Sequence, residues 1–240
     1  MSDAASPFPV DAIILVGGLG SRLRTVVSDV PKPMAPVRGR PFLDVILAQL
    51  DAFAEVRRVI LAAGYKAEAL RAHYQGAGRG NFDIDIELSI ESEPLGTGGA
   101  IVKALQMTQG PHVLVMNGDS YVDFDLRLLA RRHIESRASV TMVVVEVPDT
   151  SRFGSVALDT ATHKVTGFRE KAQAAGPGLV NAGCYLISRA AFSRLPQGPA
   201  SFERDILPGC LDSTYAIVST GRFIDIGLPE TYAKAAELLP

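Results

Sequence analysis

Apolar, β-branched runs recur at residues 12–16, 56–62, 112–116 and 140–147, separated by stretches with helical spacing. Short runs without polar alternation are the pattern of strands covered on both faces, so the alternation predicts a mainly parallel sheet flanked by helices. Residues 41–53 open with a proline and put Leu43, Ile46, Leu47 and Leu50 on one face, as an amphipathic helix does. Residues 97–107 and 125–135 repeat that spacing. Over 83–90, Ile84, Ile86, Leu88 and Ile90 alternate with polar residues, which predicts a half-buried strand.

Beyond about residue 150 the texture changes to short strands and turns at 154–158, 164–168 and 178–187. This reads as a small β-rich insertion, mixed or antiparallel, that carries a second binding surface. The chain is expected to return to the main sheet over 215–225 and to close with a helix over 229–239. The α/β reading is therefore one Rossmann-like domain over 1–240. A nucleotide-binding part spans about 11–150, a second part about 151–212, and the return 213–240.

With 240 residues, 47% of them hydrophobic, the chain can bury a sizeable core, and its 22 glycines and 15 prolines fall between apolar runs as punctuation. A net charge of −2 argues against a nucleic-acid partner, which would require a basic face. Cys184 and Cys210 read as two buried thiols in a reducing compartment. Residues 1–10 carry no basic segment, and the apolar run behind them is short. Neither a signal peptide nor a membrane span is expected, and the cytoplasm is the default location.

Candidate chemistry begins where the first apolar run ends. Gly17-Gly18-Leu19-Gly20-Ser21-Arg22 follows it directly, and Pro31-Lys32-Pro33 comes ten residues after Arg22. Three glycines after a buried strand let backbone N–H groups approach a polyphosphate, while Arg22 and Lys32 supply a planar fork and a point charge. A plain strand-to-helix turn would also explain the glycines. Leu23 stands where a dinucleotide fingerprint needs its third glycine, and no Gly-Lys-Ser/Thr run of a Walker loop exists.

Asp119, in Asn117-Gly118-Asp119, sits at the carboxyl end of a predicted parallel strand, the edge where open α/β sheets bind ligands. Asp225, between Phe223-Ile224 and Ile226-Gly227, needs explaining because a lone buried carboxylate is costly. Together over a phosphate the two would make a Mg²⁺ site. Singly, a helix cap would account for Asp119 and a turn for Asp225. Glu93-Pro94-Leu95-Gly96-Thr97-Gly98-Gly99 is a second glycine-rich loop, able to meet a flat ligand or simply to turn the chain. Glu170-Lys171 and Asn181-Ala182-Gly183 are polar groups in the insertion, for which surface charge is the ordinary explanation.

In this order the segments resemble the sugar nucleotidyltransferase family, the nucleotide-sugar pyrophosphorylases, over about residues 11–235. The likeness rests on the 17–23 and 31–37 segments, 94–100, Asn117-Gly118-Asp119, Arg169-Glu170-Lys171, Asn181-Ala182-Gly183 and Asp225-Ile226-Gly227. It implies the nucleotide-diphospho-sugar transferase fold and condensation of a nucleoside triphosphate with a sugar 1-phosphate, releasing pyrophosphate. It further implies that Arg22 and Lys32 hold the phosphates, and that Asp119 and Asp225 bind Mg²⁺. Gly17, Gly18, Gly20, Glu91 and Gly96 then contact the nucleotide, and Gly154, Glu170, Lys171 and Asn181 the sugar phosphate.

Val16 and Thr25 depart from the family's usual alanine and proline and tell against thymidylyl transfer or glucose-type uridylyl transfer. No β-helix follows the return strand, so acetyl transfer is not expected. Among short members, 28–37, 93–100, 152–156 and 223–229 are most similar to those that transfer a guanylyl group from GTP to D-glycero-α-D-manno-heptose 1-phosphate. Mannose 1-phosphate guanylyl transfer and uridylyl transfer to an N-acetylated sugar phosphate are the rival enzymes. A catalytically silent binding module is the rival of another class. A homodimer is compatible with the sequence, but no residue pattern argues for one.

Overall fold

The computed structural model describes residues 8–18, 23, 26–27, 29–76, 80–169, 176–193, 195 and 198–239. Among the described residues, thirteen strands run in chain order as β1 (Val10–Leu15), β2 (Pro36–Val37), β3 (Arg40–Pro41), β4 (Val56–Ala63), β5 (Asp85–Ile90), β6 (His112–Asn117) and β7 (Ser120–Val122), then β8 (Val140–Val147), β9 (Ser155–Leu158), β10 (Val165–Arg169), β11 (Gly178–Ser188), β12 (Thr214–Ser219) and β13 (Phe223–Asp225). The helices are α1 (Phe42–Asp51), α2 (Ala67–Tyr74), α3 (Gly96–Ala104), α4 (Leu126–Glu135), α5 (Arg189–Phe192) and α6 (Pro229–Leu238).

Nine strands form one mixed sheet. Its parallel half runs β5-β4-β1-β6, each neighbour parallel to the next. β11 then joins β6 antiparallel and carries β8 antiparallel on its other side, and β12 pairs parallel with β8. The first residues of β11 also pair with β9, which holds β10. The short strands expected beyond residue 150 therefore extend the same sheet, and the 11-residue β11 crosses from its rim into its middle. The return expected over 215–225 divides in two. β12 enters the main sheet, whereas β13 leaves it to pair with β7, with Asp225 opposite Ser120.

β1, β4 and β6 are largely buried on both faces, as their apolar runs predict, whereas β5 at the sheet edge is half-buried, as its alternation predicts. On β1, Ala12 and Ile14 join a cluster with Leu43, Ile46 and Leu47 of α1, Leu70 of α2 and Leu129 of α4. Ile13 points the other way, to Ile101 and Ala104 of α3, Phe192 of α5 and the turns at Phe202 and Leu207. Ile13 and Ile14 are both fully buried, and each such side chain contributes roughly 1.5–3 kcal/mol. Asp125 caps α4, accepting from the amides of Arg127 and Leu128, so the helix-cap role falls to Asp125 and not Asp119. Among the described residues no helix is long and apolar enough to cross a membrane.

Candidate active site

The carboxyl ends of β1, β4, β5 and β6 converge on one cavity of about 320 Å³. Leu15 faces Asn117 in the register, and the Gly118 amide donates to the Leu15 carbonyl at 3.0 Å, which holds the two strand ends together. A Cβ at residue 118 would come within 2.7 Å of Val16 Cγ1 and 2.8 Å of the Leu15 oxygen, so only glycine admits this approach. Gly17, Gly18, Lys32, Glu91, Gly96, Thr97, Asn117 and Asp119 all line the cavity. The sequence readings of Gly17, Gly18, Glu91 and Gly96 thus meet in one space.

Lys32 opens a single helical turn, Lys32–Met34, behind Pro31. Its ammonium lies 2.5 Å from Asp119 Oδ2 and 3.8 Å from Asp225 Oδ1, although Asp119 and Asp225 are more than a hundred residues apart. The β7–β13 pairing makes this meeting: the Ile226 amide donates to the Asp119 carbonyl at 2.9 Å. Asp225 also holds its own turn, since Oδ1 accepts from the Gly227 amide at 2.5 Å. The turn and the carboxylate pair are both present. Burial first, then the charge of Asp119, pushes the Asp225 carboxyl above the usual carboxylate range, against the pull of Lys32 and the Gly227 amide. Two carboxylates held together in this way could hold a divalent cation through their oxygens.

Glu91 Oε2 accepts from the Leu95 amide at 2.9 Å, which fixes the turn into α3 and leaves its other oxygen for a ligand. Gly154 and Asn181 lie in the antiparallel half and are bonded to one another, the Asn181 amide donating to the Gly154 carbonyl at 2.9 Å. Neither lines the cavity. Gly20, Arg22, Glu170 and Lys171 lie outside the described residues. None of the lining residues is a histidine.

Three further groups came without a sequence signal strong enough to find them. Arg152 exerts its charge on Asp225 and lies over the Phe153 ring, which packs on Phe223 of β13. Glu203 accepts from the Thr97 hydroxyl at 3.0 Å. Tyr185, fully buried in β11, reaches Glu203 at 3.3 Å. The one hint in the sequence is a tyrosine inside an apolar run, whose hydroxyl must find a partner when buried.

Residues 11–240 match the family described as nucleotidyl transferase. The chain belongs to this family. It is 40% identical over 233 residues to D-glycero-alpha-D-manno-heptose 1-phosphate guanylyltransferase from Aneurinibacillus thermoaerophilus, covering 96% of this chain and 98% of that one. It is 36% identical to mannose-1-phosphate guanylyltransferase from Mycobacterium tuberculosis, covering 95% of this chain and 64% of the relative. The crystal structure of HddC from Yersinia pseudotuberculosis complexed with GMP-PN superposes with a TM-score of 0.83 at 36% identity, covering 95% of this chain and 98% of that one. The mixed sheet flanked by helices is thus the nucleotide-diphospho-sugar transferase fold that the sequence predicts.

Proposed function

We propose that this protein transfers a guanylyl group from GTP to D-glycero-α-D-manno-heptose 1-phosphate, giving GDP-heptose and pyrophosphate. The observation that carries the reading is Lys32 between Asp119 and Asp225 at the edge of a glycine-lined cavity. The choice of base and sugar rests on likeness to the guanylyltransferases, which span nearly the whole chain. The sugar phosphate brings an anionic nucleophilic oxygen, so no strong general base is required. The protein's task is to hold two repelling anions in line and to neutralise the charge that develops.

Asp119 and Asp225 fit Mg²⁺, because two carboxylates already gathered around one cation offer the hard oxygen donors that ion prefers. When bound there, Mg²⁺ would neutralise charge on the α-phosphoryl group and on pyrophosphate. Lys32 serves the α-phosphate from its fixed turn, and Arg22 grips the leaving pyrophosphate. Gly17, Gly18 and Gly20 let the backbone approach the nucleotide, while Glu91 and Gly96 take the base and ribose. Gly154, Glu170, Lys171 and Asn181, from the part over about 151–212, hold the sugar phosphate. Since the reaction draws on nucleoside triphosphate, it belongs in the cytoplasm.

The test is pyrophosphate release with Mg²⁺ across four nucleoside triphosphates and heptose, mannose and N-acetylated sugar 1-phosphates. Turnover confined to GTP with the heptose phosphate is the expected result. A best signal with another pair keeps the mechanism and replaces the substrate, and no release with any pair overturns the reaction.

A further inference from the structure

A chain of hydrogen bonds leaves the cavity through Thr97 and ends at Asn181 on the far half of the sheet. The Thr97 hydroxyl donates to Glu203 Oε2 at 3.0 Å and accepts from the Phe202 amide at 2.8 Å. The Tyr185 hydroxyl donates to Glu203 Oε1 at 3.3 Å and accepts from the Asn181 side-chain amide at 2.5 Å. Asn181 Oδ1 in turn accepts from the Gly183 amide at 3.0 Å. Every proton in this chain has one direction. An ionised Glu203 can only accept, so it obliges both hydroxyls to donate to it, and Tyr185 must then accept from Asn181.

One end of the chain lies in the cavity wall and the other stands off it. Thr97 lines the cavity, whereas Asn181 lies where β11 bulges away from β8 between Asn181 and Tyr185. At the bulge Gly183 adopts φ +73°, and a Cβ there would come within 2.5 Å of the Asn117 side-chain nitrogen in the cavity wall. Bulges of this kind re-aim side chains next to active sites. Among the described residues one Asn181 amide hydrogen has no partner, so a ligand hydroxyl would meet a donor there.

We propose that Glu203 is a positioning residue that couples the nucleotide side of the site to the sugar-phosphate side, through Thr97 in one direction and through Tyr185 and Asn181 in the other. The inference rests on the proposed function in taking Asn181 as a sugar contact. It makes the two substrates cooperative, because each one's contact is ordered by the same carboxylate.

Glu203→Ala and Tyr185→Phe cut the chain at different points. Calorimetry with GTP alone and with GDP-heptose, alongside steady-state kinetics, reads the difference. Tyr185→Phe should raise the KM for the sugar phosphate about fivefold or more and weaken GDP-heptose, with GTP binding and kcat within about twofold. Glu203→Ala should weaken both ligands. The double variant should be no worse toward the sugar phosphate than Glu203→Ala, since the second cut falls on a chain already broken. A Tyr185→Phe protein that changes both ligands alike, or neither, overturns the coupling, as does full additivity in the double variant. Thermal melts of each variant exclude misfolding. The same binding split between the variants, with no turnover by the wild-type protein, would overturn the proposed reaction and keep the coupling.

Discussion

The two halves of the sheet are built from the same apolar strands yet contribute to the site in different ways. In the parallel half, β1, β4, β5 and β6 end at one edge, and residues at or just past each end line the cavity directly. In the antiparallel half the strands run both ways, so Gly154 and Asn181 stand off the cavity, and Asn181 is linked to it through side chains of Tyr185, Glu203 and Thr97. Parallel strands deliver chemistry by position, because all their ends coincide. On the coupling proposed above, antiparallel strands deliver it by connection, and the hydrogen bonds then carry the precision.

The comparison breaks most sharply at the carboxylates. Asp119→Asn, at the end of the parallel half, should leave a folded protein with at least about a hundredfold loss of kcat, measured as pyrophosphate release over a Mg²⁺ series. Near-normal rates would remove Asp119 from the proposed Mg²⁺ site. Asn181→Ala, in the other half, should act mainly on the KM for the sugar phosphate, and an equal loss of kcat there would erase the distinction.

Glycine substitutions test the two halves by stability. Gly118→Ala forces a methyl group against the Leu15 carbonyl and Val16, an overpacking that costs about 1–3 kcal/mol. Gly183→Ala combines a left-handed backbone, about 1–2 kcal/mol, with displacement of Asn117. Urea denaturation should rank both well below wild type, and a neutral Gly118→Ala would mean that the strand ends are not packed this closely.

At neutral pH the smallest expected effect lies away from the site. His133 is fully buried, bonded to Thr141 at 2.9 Å, and burial followed by the neighbouring His112 pulls its pKa down to about 4. Folding keeps it neutral while the unfolded chain takes up a proton near pH 6.5. Its contribution is therefore whole above about 6.5 and is lost as the pH falls toward 4, at up to about 1.4 kcal/mol per unit. His133→Gln should flatten the fall in stability over that window without altering turnover at neutral pH.

Much of the parallel half was legible because its signals are local. The run over 56–62 falls one residue short of β4, and 112–116 one residue short of β6. The helix α2 went unread: only Ala67, Leu70 and Tyr74 of its residues are buried, too narrow a stripe to stand out from polar chain. Asp119 and Asp225 were legible singly, each with an ordinary explanation, but their meeting depends on β7 pairing with β13 about a hundred residues away. Glu203 was silent in the sequence because an acidic residue on a short turn looks like solvated surface until Thr97 and Tyr185 are brought to it.

At the opposite end of the parallel strands, Arg58 of β4 bridges Asp11 of β1 at 2.8 Å and Glu87 of β5 at 3.4 Å, and Asp11 also accepts from the Gln109 amide just before β6. This tie fastens four neighbouring strands at their amino ends, opposite the edge that lines the cavity. For protein engineering it divides the molecule into an anchored base and a rewritable rim. The turn over 92–95, between β5 and α3, can be varied in search of new donor nucleotides while the strands that present it stay in register.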